Sequence, residues 1–268
     1  MSPKAIADYS ILDRPKILMF LFHPRPEPPR SGSSSGAEDV LIPVAEGIRI
    51  GTRLHMVAAA APNILFFHGN GEIVADYDEL GPIYNQMGIN FLVADYRGYG
   101  LSTGQPTVSA MMQDSHVIFQ FIKDWLNQNH YSGPFIVMGR SLGSASVLEL
   151  VDHYKSEIDA LIIESGFAYA GPLLQLLGLN PAAIGFSEEA GFRNLDKIRN
   201  FDKPTLVIHA EYDHIIPFSD GQALYDASPA GAKNLLKIPG ANHNDIFTRG
   251  LSEYLEAVKT LVKQVEAM

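Results

Sequence analysis

Three short stretches of this 268-residue chain carry residue types whose chemistry would fit together: a serine in Gly139-Arg140-Ser141-Leu142-Gly143, an aspartate in AEYDHIIP (Asp213) and a histidine in PGANHNDIF (His243). A serine hydroxyl is a weak nucleophile at neutral pH, so it needs a base to take its proton and an acid to orient that base. The Gly139–Gly143 motif directly follows the apolar run FIVM, and Ser141 directly precedes a helical pattern from Leu142 to Lys155. At such a strand-to-helix turn, small residues two before and two after the serine permit a strained bend that lifts the hydroxyl clear of the sheet. The helix that follows aims free N–H groups and its positive dipole end at the same place, which favours an oxyanion. The chemistry implied is attack on an acyl carbonyl. The plain alternative for any such serine is a helix N-cap.

Four histidines lie downstream of Ser141 as candidate bases: His153, His209, His214 and His243. His153 falls in the helical pattern and reads as a helix-surface residue, and His209 falls in the strand TLVIHA and reads as a satisfied core or strand-end residue. His214 sits beside an acid in a loop. Only His243 is in a loop after the last strand pattern, where a side chain is free to reach back, and it comes last, as serine, acid, histidine order requires. Asp213, at the end of the strand TLVIHA, is the candidate acid, with a turn or N-cap role as its alternative. Glu164, ending the preceding strand, is its rival, and a supporting or substrate-facing role is expected for it.

An oxyanion needs donors from two sides. The loop His68-Gly69-Asn70-Gly71-Glu72 after the strand ILFF can turn the Asn70 N–H toward the reacting oxygen, opposite the N–H of Leu142. His68 is expected to stabilise this loop. Glu72 is left open, since a carboxylate also suits the start of the helix that follows. In Asp95-Tyr96-Arg97-Gly98-Tyr99-Gly100 the glycines suggest a tight backbone path near the site, and Arg97 is expected to pair with Asp95. Metal chemistry is not expected: Asp213, His214, His243 and Asp245 offer ligand types, but serine chemistry explains them better.

These residues must be positioned by a framework, and its pattern is legible. Short apolar runs at Asn63–His68, Ile89–Asp95, Phe135–Gly139, Ala160–Glu164, Thr205–Ala210 and Leu235–Pro239 read as buried strands. Amphipathic stretches at Asp76–Met87, Val108–Asn129, Leu142–Lys155, Ser219–Asp226 and Ser252–Glu266 read as the helices between them. The alternation predicts βαβ units, hence an α/β fold with a mostly parallel sheet of eight strands flanked by helices. Asp39–Val44 and Ile48–Val57 add an antiparallel pair at one edge. Residues 24–36, with Pro24, Pro26, Pro28 and Pro29 before SGSSSG, are expected to form a mobile surface loop. Residues 166–194 break the alternation with glycines, prolines and Leu173, Leu174, Leu176, Leu177 and Leu179, and are expected to form a small, partly helical cap over the site.

A chain of this length with 46% hydrophobic residues can bury one large core, so a single domain over residues 1–268 is expected. Twenty basic against 30 acidic residues leave a net charge of -10, which repels polyanions and argues against nucleic-acid partners. With no cysteine there is no disulfide, thiolate metal site or thiol nucleophile. The run Ile17–Phe22 is too short to span a membrane and lacks a cleavage site, so no integral membrane segment and a cytoplasmic location are expected.

Taken together, LFHPRPE at 21–27, FFHGNGE at 66–72, DYRGYGLSTGQPT at 95–107, GRSLGS at 139–144, IIESGF at 162–167, AEYDHIIPF at 210–218 and PGANHND at 239–245 resemble the α/β-hydrolase superfamily. Within it, they resemble the Bem46-like, ABHD-type serine hydrolases related to palmitoyl-protein thioesterases and lipid esterases. The resemblance implies a Ser141, Asp213, His243 triad and an oxyanion hole from Asn70 and Leu142, with no cofactor. The expected activity is hydrolysis of carboxylic esters or thioesters with an apolar acyl group, the leucine-rich cap suggesting the apolar part. A peptidase of the same fold, with Glu72 or Glu164 holding a free amino terminus, and a non-catalytic binding protein are the alternatives.

Overall fold

The computed structural model describes residues 6–28, 36–176 and 178–268. Eight strands form one sheet in the order β1-β2-β4-β3-β5-β6-β7-β8, where β1 is Glu38–Ala45, β2 Ile48–His55, β3 Asn63–Phe67, β4 Asn90–Ala94, β5 Phe135–Arg140, β6 Ala160–Glu164, β7 Thr205–Ala210 and β8 Lys233–Ile238. The pairs β1·β2 and β2·β4 are antiparallel and all others are parallel. Residues of β3 through β7 are buried on both faces, which is why their sequences are continuous apolar runs.

Helices cover both faces: α1 Pro15–Leu21, α2 Leu80–Gln86, α3 Val108–Gln128, α4 Gly143–Tyr154, α5 Ala170–Leu176, α6 Asn194–Ile198, α7 Phe218–Ala227 and α8 Ile246–Glu266. Thr107 starts α3 by accepting a hydrogen bond from the Ala110 N–H, satisfying one of the free donors of the first turn. Two hydrophobic cores result, one on each side of the sheet. Parallel strands all end on one edge, so the loops after β3, β5, β7 and β8 gather there, and those are the loops that carry the candidate residues.

Several elements differ from the sequence expectation. The helix expected over Asp76–Met87 is a 3-10 turn at Val74–Tyr77 followed by α2, because Pro82 lacks an N–H and is accommodated only in a first turn. The last helix begins at Ile246 rather than Ser252 and is broken at Gly250, where an added Cβ would lie 2.7 Å from Ile238. The apolar run Ile17–Phe22 belongs mostly to α1, which buries Ile17 and Leu21. Of the loop expected over 24–36, residues 29–35 lie outside the described residues, and 24–28 are not loose. Arg25 donates to the Gly71 carbonyl and pairs with Asp76, its own carbonyl accepts from Gly100, and Glu27 pairs with Arg53 at 2.8 Å. The 166–194 segment carries α5 and a 3-10 turn at Glu188–Ala190; Leu177 in its expected greasy stretch lies outside the described residues. No helix among the described residues is long and apolar enough to cross a membrane.

Candidate active site

Ser141 sits between the end of β5 and the start of α4 with φ of 50°, a left-handed conformation that costs a non-glycine residue energy and is held only by its surroundings. The Ser141 N–H donates to the Glu164 carbonyl at 2.8 Å, and the Ser141 carbonyl accepts from Ser144 N–H at 3.0 Å and Ser144 Oγ at 2.6 Å. The flanking glycines are required by space. A Cβ on Gly139 would lie 2.3 Å from the Gly143 carbonyl oxygen, and one on Gly143 would lie 2.1 Å from that of Phe67.

The loops after β7 and β8 bring the other two residues to this turn. Ser141 Oγ lies 3.0 Å from His243 Nε2, and His243 Nδ1 lies 2.7 Å from Asp213 Oδ2. This arrangement is that of a hydroxyl donating to Nε2 while Nδ1–H donates to the carboxylate, with the tautomer assigned from the partners. Asp213 Oδ1 accepts from the N–H groups of Ile215 and Ile216 at 3.0 and 2.8 Å. Burial pushes the Asp213 pKa up, but His243 and these two backbone donors outweigh it and hold it below the ordinary value. The acid is therefore ionised across neutral pH and ready to orient the ring.

The remaining candidates fall elsewhere. Glu164 does not face His243: its Oε1 accepts from Arg140 at 2.6 Å and its Oε2 from the Tyr254 hydroxyl at 2.8 Å. Glu72 does not serve as a helix-start carboxylate. It accepts from Gly69 N–H and Tyr77 OH, both at 2.6 Å, and from Arg140 Nε at 2.8 Å. His209 donates from Nε2 to the Ile216 carbonyl at 2.8 Å, and burial lowers its pKa, so it is a neutral core residue. His153 is not a surface residue. Its side chain is 8% exposed, because α3 covers that face of α4 and packs His116 against it. Arg97 pairs with Asp114 on α3 at 2.7 and 2.8 Å rather than with Asp95, whose carboxylate instead takes His68 Nε2 at 3.1 Å and Val74 N–H at 3.0 Å. His68 thus holds its loop, as expected. Burial opposes its charge, yet Asp95 more than compensates and raises its pKa.

Asn70 and Leu142 line the same pocket as Ser141. The Asn70 side chain fixes its loop by accepting from the Tyr99 hydroxyl and His23 N–H, each at 2.8 Å. The pocket encloses about 280 Å³ and has an apolar wall of Phe20, Leu21, Leu173, Ile215 and Ile216. Sequence reasoning missed the contribution of α1 and His23 to this wall, since nothing in an isolated apolar heptad says which face of the fold it will cover. It also missed Arg140, whose position inside the serine motif hid its partners.

Away from the pocket, His116, Glu149 and His153 lie close enough for one ligand atom from each to fall within 4.8 Å of the others. The Lys197 ammonium, 2.6 Å from Glu149, already supplies the counter-charge that such a carboxylate needs in a buried setting.

The chain is similar to known proteins in sequence and in fold. A family model described as serine aminopeptidase, S33, matches residues 58–189. The chain is 31% identical over 206 residues to alpha/beta hydrolase domain-containing protein 17C of Mus musculus, covering 74% of this chain and 59% of that protein. It is 31% identical over 193 residues to lysophosphatidylserine lipase ABHD12 of Xenopus tropicalis, covering 65% of this chain and 49% of that protein, so it spans only part of the length of these relatives. Est1E from Butyrivibrio proteoclasticus, solved with ferulic acid bound, shares the fold with a TM-score of 0.70 at 20% identity, over 85% of this chain and 100% of that one. The chain is similar in sequence to the ABHD-type α/β hydrolases and has the α/β-hydrolase fold.

Proposed function

We propose that the protein is a serine hydrolase that cleaves carboxylic esters or thioesters with an apolar acyl group. The observation that carries the reading is the relay of 3.0 and 2.7 Å from Ser141 through His243 to Asp213 at the floor of a pocket with an apolar wall. In the mechanism, His243 Nε2 takes the Ser141 proton as Oγ adds to the carbonyl carbon, and Asp213 stabilises the imidazolium that forms. The oxygen that gains charge is met by the N–H groups of Asn70 and Leu142. Collapse of the tetrahedral species expels the alkoxide or thiolate, which receives the proton from His243, and leaves an acyl group on Ser141. Water, deprotonated by His243, then releases the acid. The lipase and the Est1E structure with ferulic acid bound, both among the similar proteins, fit an acyl substrate.

The aminopeptidase description of the family model raises a peptidase alternative, which needs a carboxylate free to hold a substrate ammonium. Glu72 and Glu164 are both tied to the Arg140 guanidinium, which disfavours it. The test is covalent labelling by a fluorophosphonate with the modified residue mapped, together with a panel of p-nitrophenyl esters and acyl thioesters of graded chain length. Ser141 should carry the label, and Ser141→Ala should lose turnover by roughly 10⁵-fold or more. Faster turnover of aminoacyl amides than of esters favours the peptidase; a folded protein that is neither labelled nor active defeats the hydrolase reading.

A further inference from the structure

Arg140, the residue before Ser141, is buried, and each of its three guanidinium nitrogens donates to a different residue. Nε donates to Glu72 Oε1 at 2.8 Å, and the same carboxylate receives the Gly69 N–H, so this contact reaches the loop that presents Asn70. One terminal nitrogen donates to Glu164 Oε1 at 2.6 Å, on the residue whose backbone carbonyl receives the Ser141 N–H. The other donates to the backbone carbonyl of His243 at 2.9 Å. The Tyr77 hydroxyl also donates to the Glu72 carboxylate, and the Tyr254 hydroxyl to that of Glu164.

Two carboxylates and one guanidinium removed from water are costly to bury, and a merely structural cluster is often replaceable by apolar residues without loss. What apolar residues cannot do is fix three separate loops by directed hydrogen bonds from one rigid planar group. We propose that Arg140 is a positioning residue that sets the nucleophile turn, the oxyanion loop and the His243 loop in register with one another. It touches neither substrate nor reacting atoms. Its action is on the distance from Ser141 Oγ to His243 Nε2 and on the direction of the Asn70 N–H, both of which matter to the transition state more than to ground-state binding.

The proposal rests on the hydrolase reading, and the experiment separates the two. Wild type, Arg140→Lys and Lys197→Met are compared for melting temperature, for kcat and KM on a p-nitrophenyl ester, and for the rate of fluorophosphonate labelling of Ser141. Lysine keeps the charge but cannot span three acceptors with one nitrogen. Lys197→Met breaks a buried ion pair with Glu149 outside the pocket and serves as the structural control. Arg140→Lys should lower kcat and the labelling rate by roughly 10²-fold with KM within about threefold, while Lys197→Met loses stability without loss of kcat per folded molecule. Should Arg140→Lys not fold, the combination of Glu72→Gln, Arg140→Met and Glu164→Gln, which leaves no unpaired charge in the cluster, takes its place, with the same loss expected. A variant that is destabilised like the control but keeps wild-type kcat overturns the positioning role alone. A folded wild type that neither labels nor turns over esters overturns the hydrolase reading, and the positioning role with it.

Discussion

Glu72→Gln should cost about 3 kcal/mol of stability at neutral pH, and the cost should disappear with acid. Glutamine keeps an oxygen for Gly69 and Tyr77, so the change removes the charge facing Arg140 together with the oxygen that accepts from its Nε. Burial pushes the Glu72 carboxyl up, but the Arg140 charge and the hydrogen bonds from Tyr77 and Arg140 outweigh it and lower its pKa from 4.5 to about 2. A depression of that size, at about 1.4 kcal/mol per pH unit, corresponds to about 3 kcal/mol of folding free energy. The side chain is 26% exposed, so screening trims this only modestly. Because the folded-state value is the lower one, the contribution is fully present above about pH 4.5 and is lost as pH falls toward about 2. Roughly 2 kcal/mol of it should be gone by pH 3. Urea unfolding of both proteins at steps from pH 7 to pH 3 measures the gap directly. A gap that stays constant across that range, or one below about 0.5 kcal/mol at pH 7, would show that the charge of Glu72 does not hold the loop as argued.

Asp213→Asn should lower kcat by roughly 10⁴-fold by favouring the wrong tautomer of His243, whereas Glu164→Gln should cost on the order of tenfold through Arg140; the larger loss at residue 164 would reverse the assignment of the acid. Gly143→Ala should destabilise by about 3 kcal/mol, since its Cβ meets the Phe67 backbone rather than a flexible side chain. Thermal unfolding of that variant within about 0.5 kcal/mol of wild type would mean the turn has room that the structure denies it.

What the sequence determined by itself was local. The five residues around Ser141 dictate their own turn, because Gly139 and Gly143 are demanded by contacts with backbone a few residues away or on the adjacent strand. The apolar runs dictate strands because a parallel sheet buried on both faces needs continuous hydrophobic residues. Chain order alone put Asp213 and His243 on loops at one edge, where His243 reaches Ser141 and Asp213 reaches His243. The failures share a cause, which is that a side chain's partner is chosen by packing. Arg97 has an acid two residues away, yet its fork meets Asp114 on α3, and Asp95 is turned inward to His68. His153 lies on a helix whose outward face became an interior when α3 settled on it. The wall formed by α1 and the grip of His23 on Asn70 join residues 47 positions apart, and no periodicity reports such a contact. Arg140 shows the division most sharply. Its sequence context says only that it precedes a serine in a turn, while the convergence of Glu72, Glu164 and the His243 carbonyl on one guanidinium exists only because three strand ends meet at the same edge of the folded sheet.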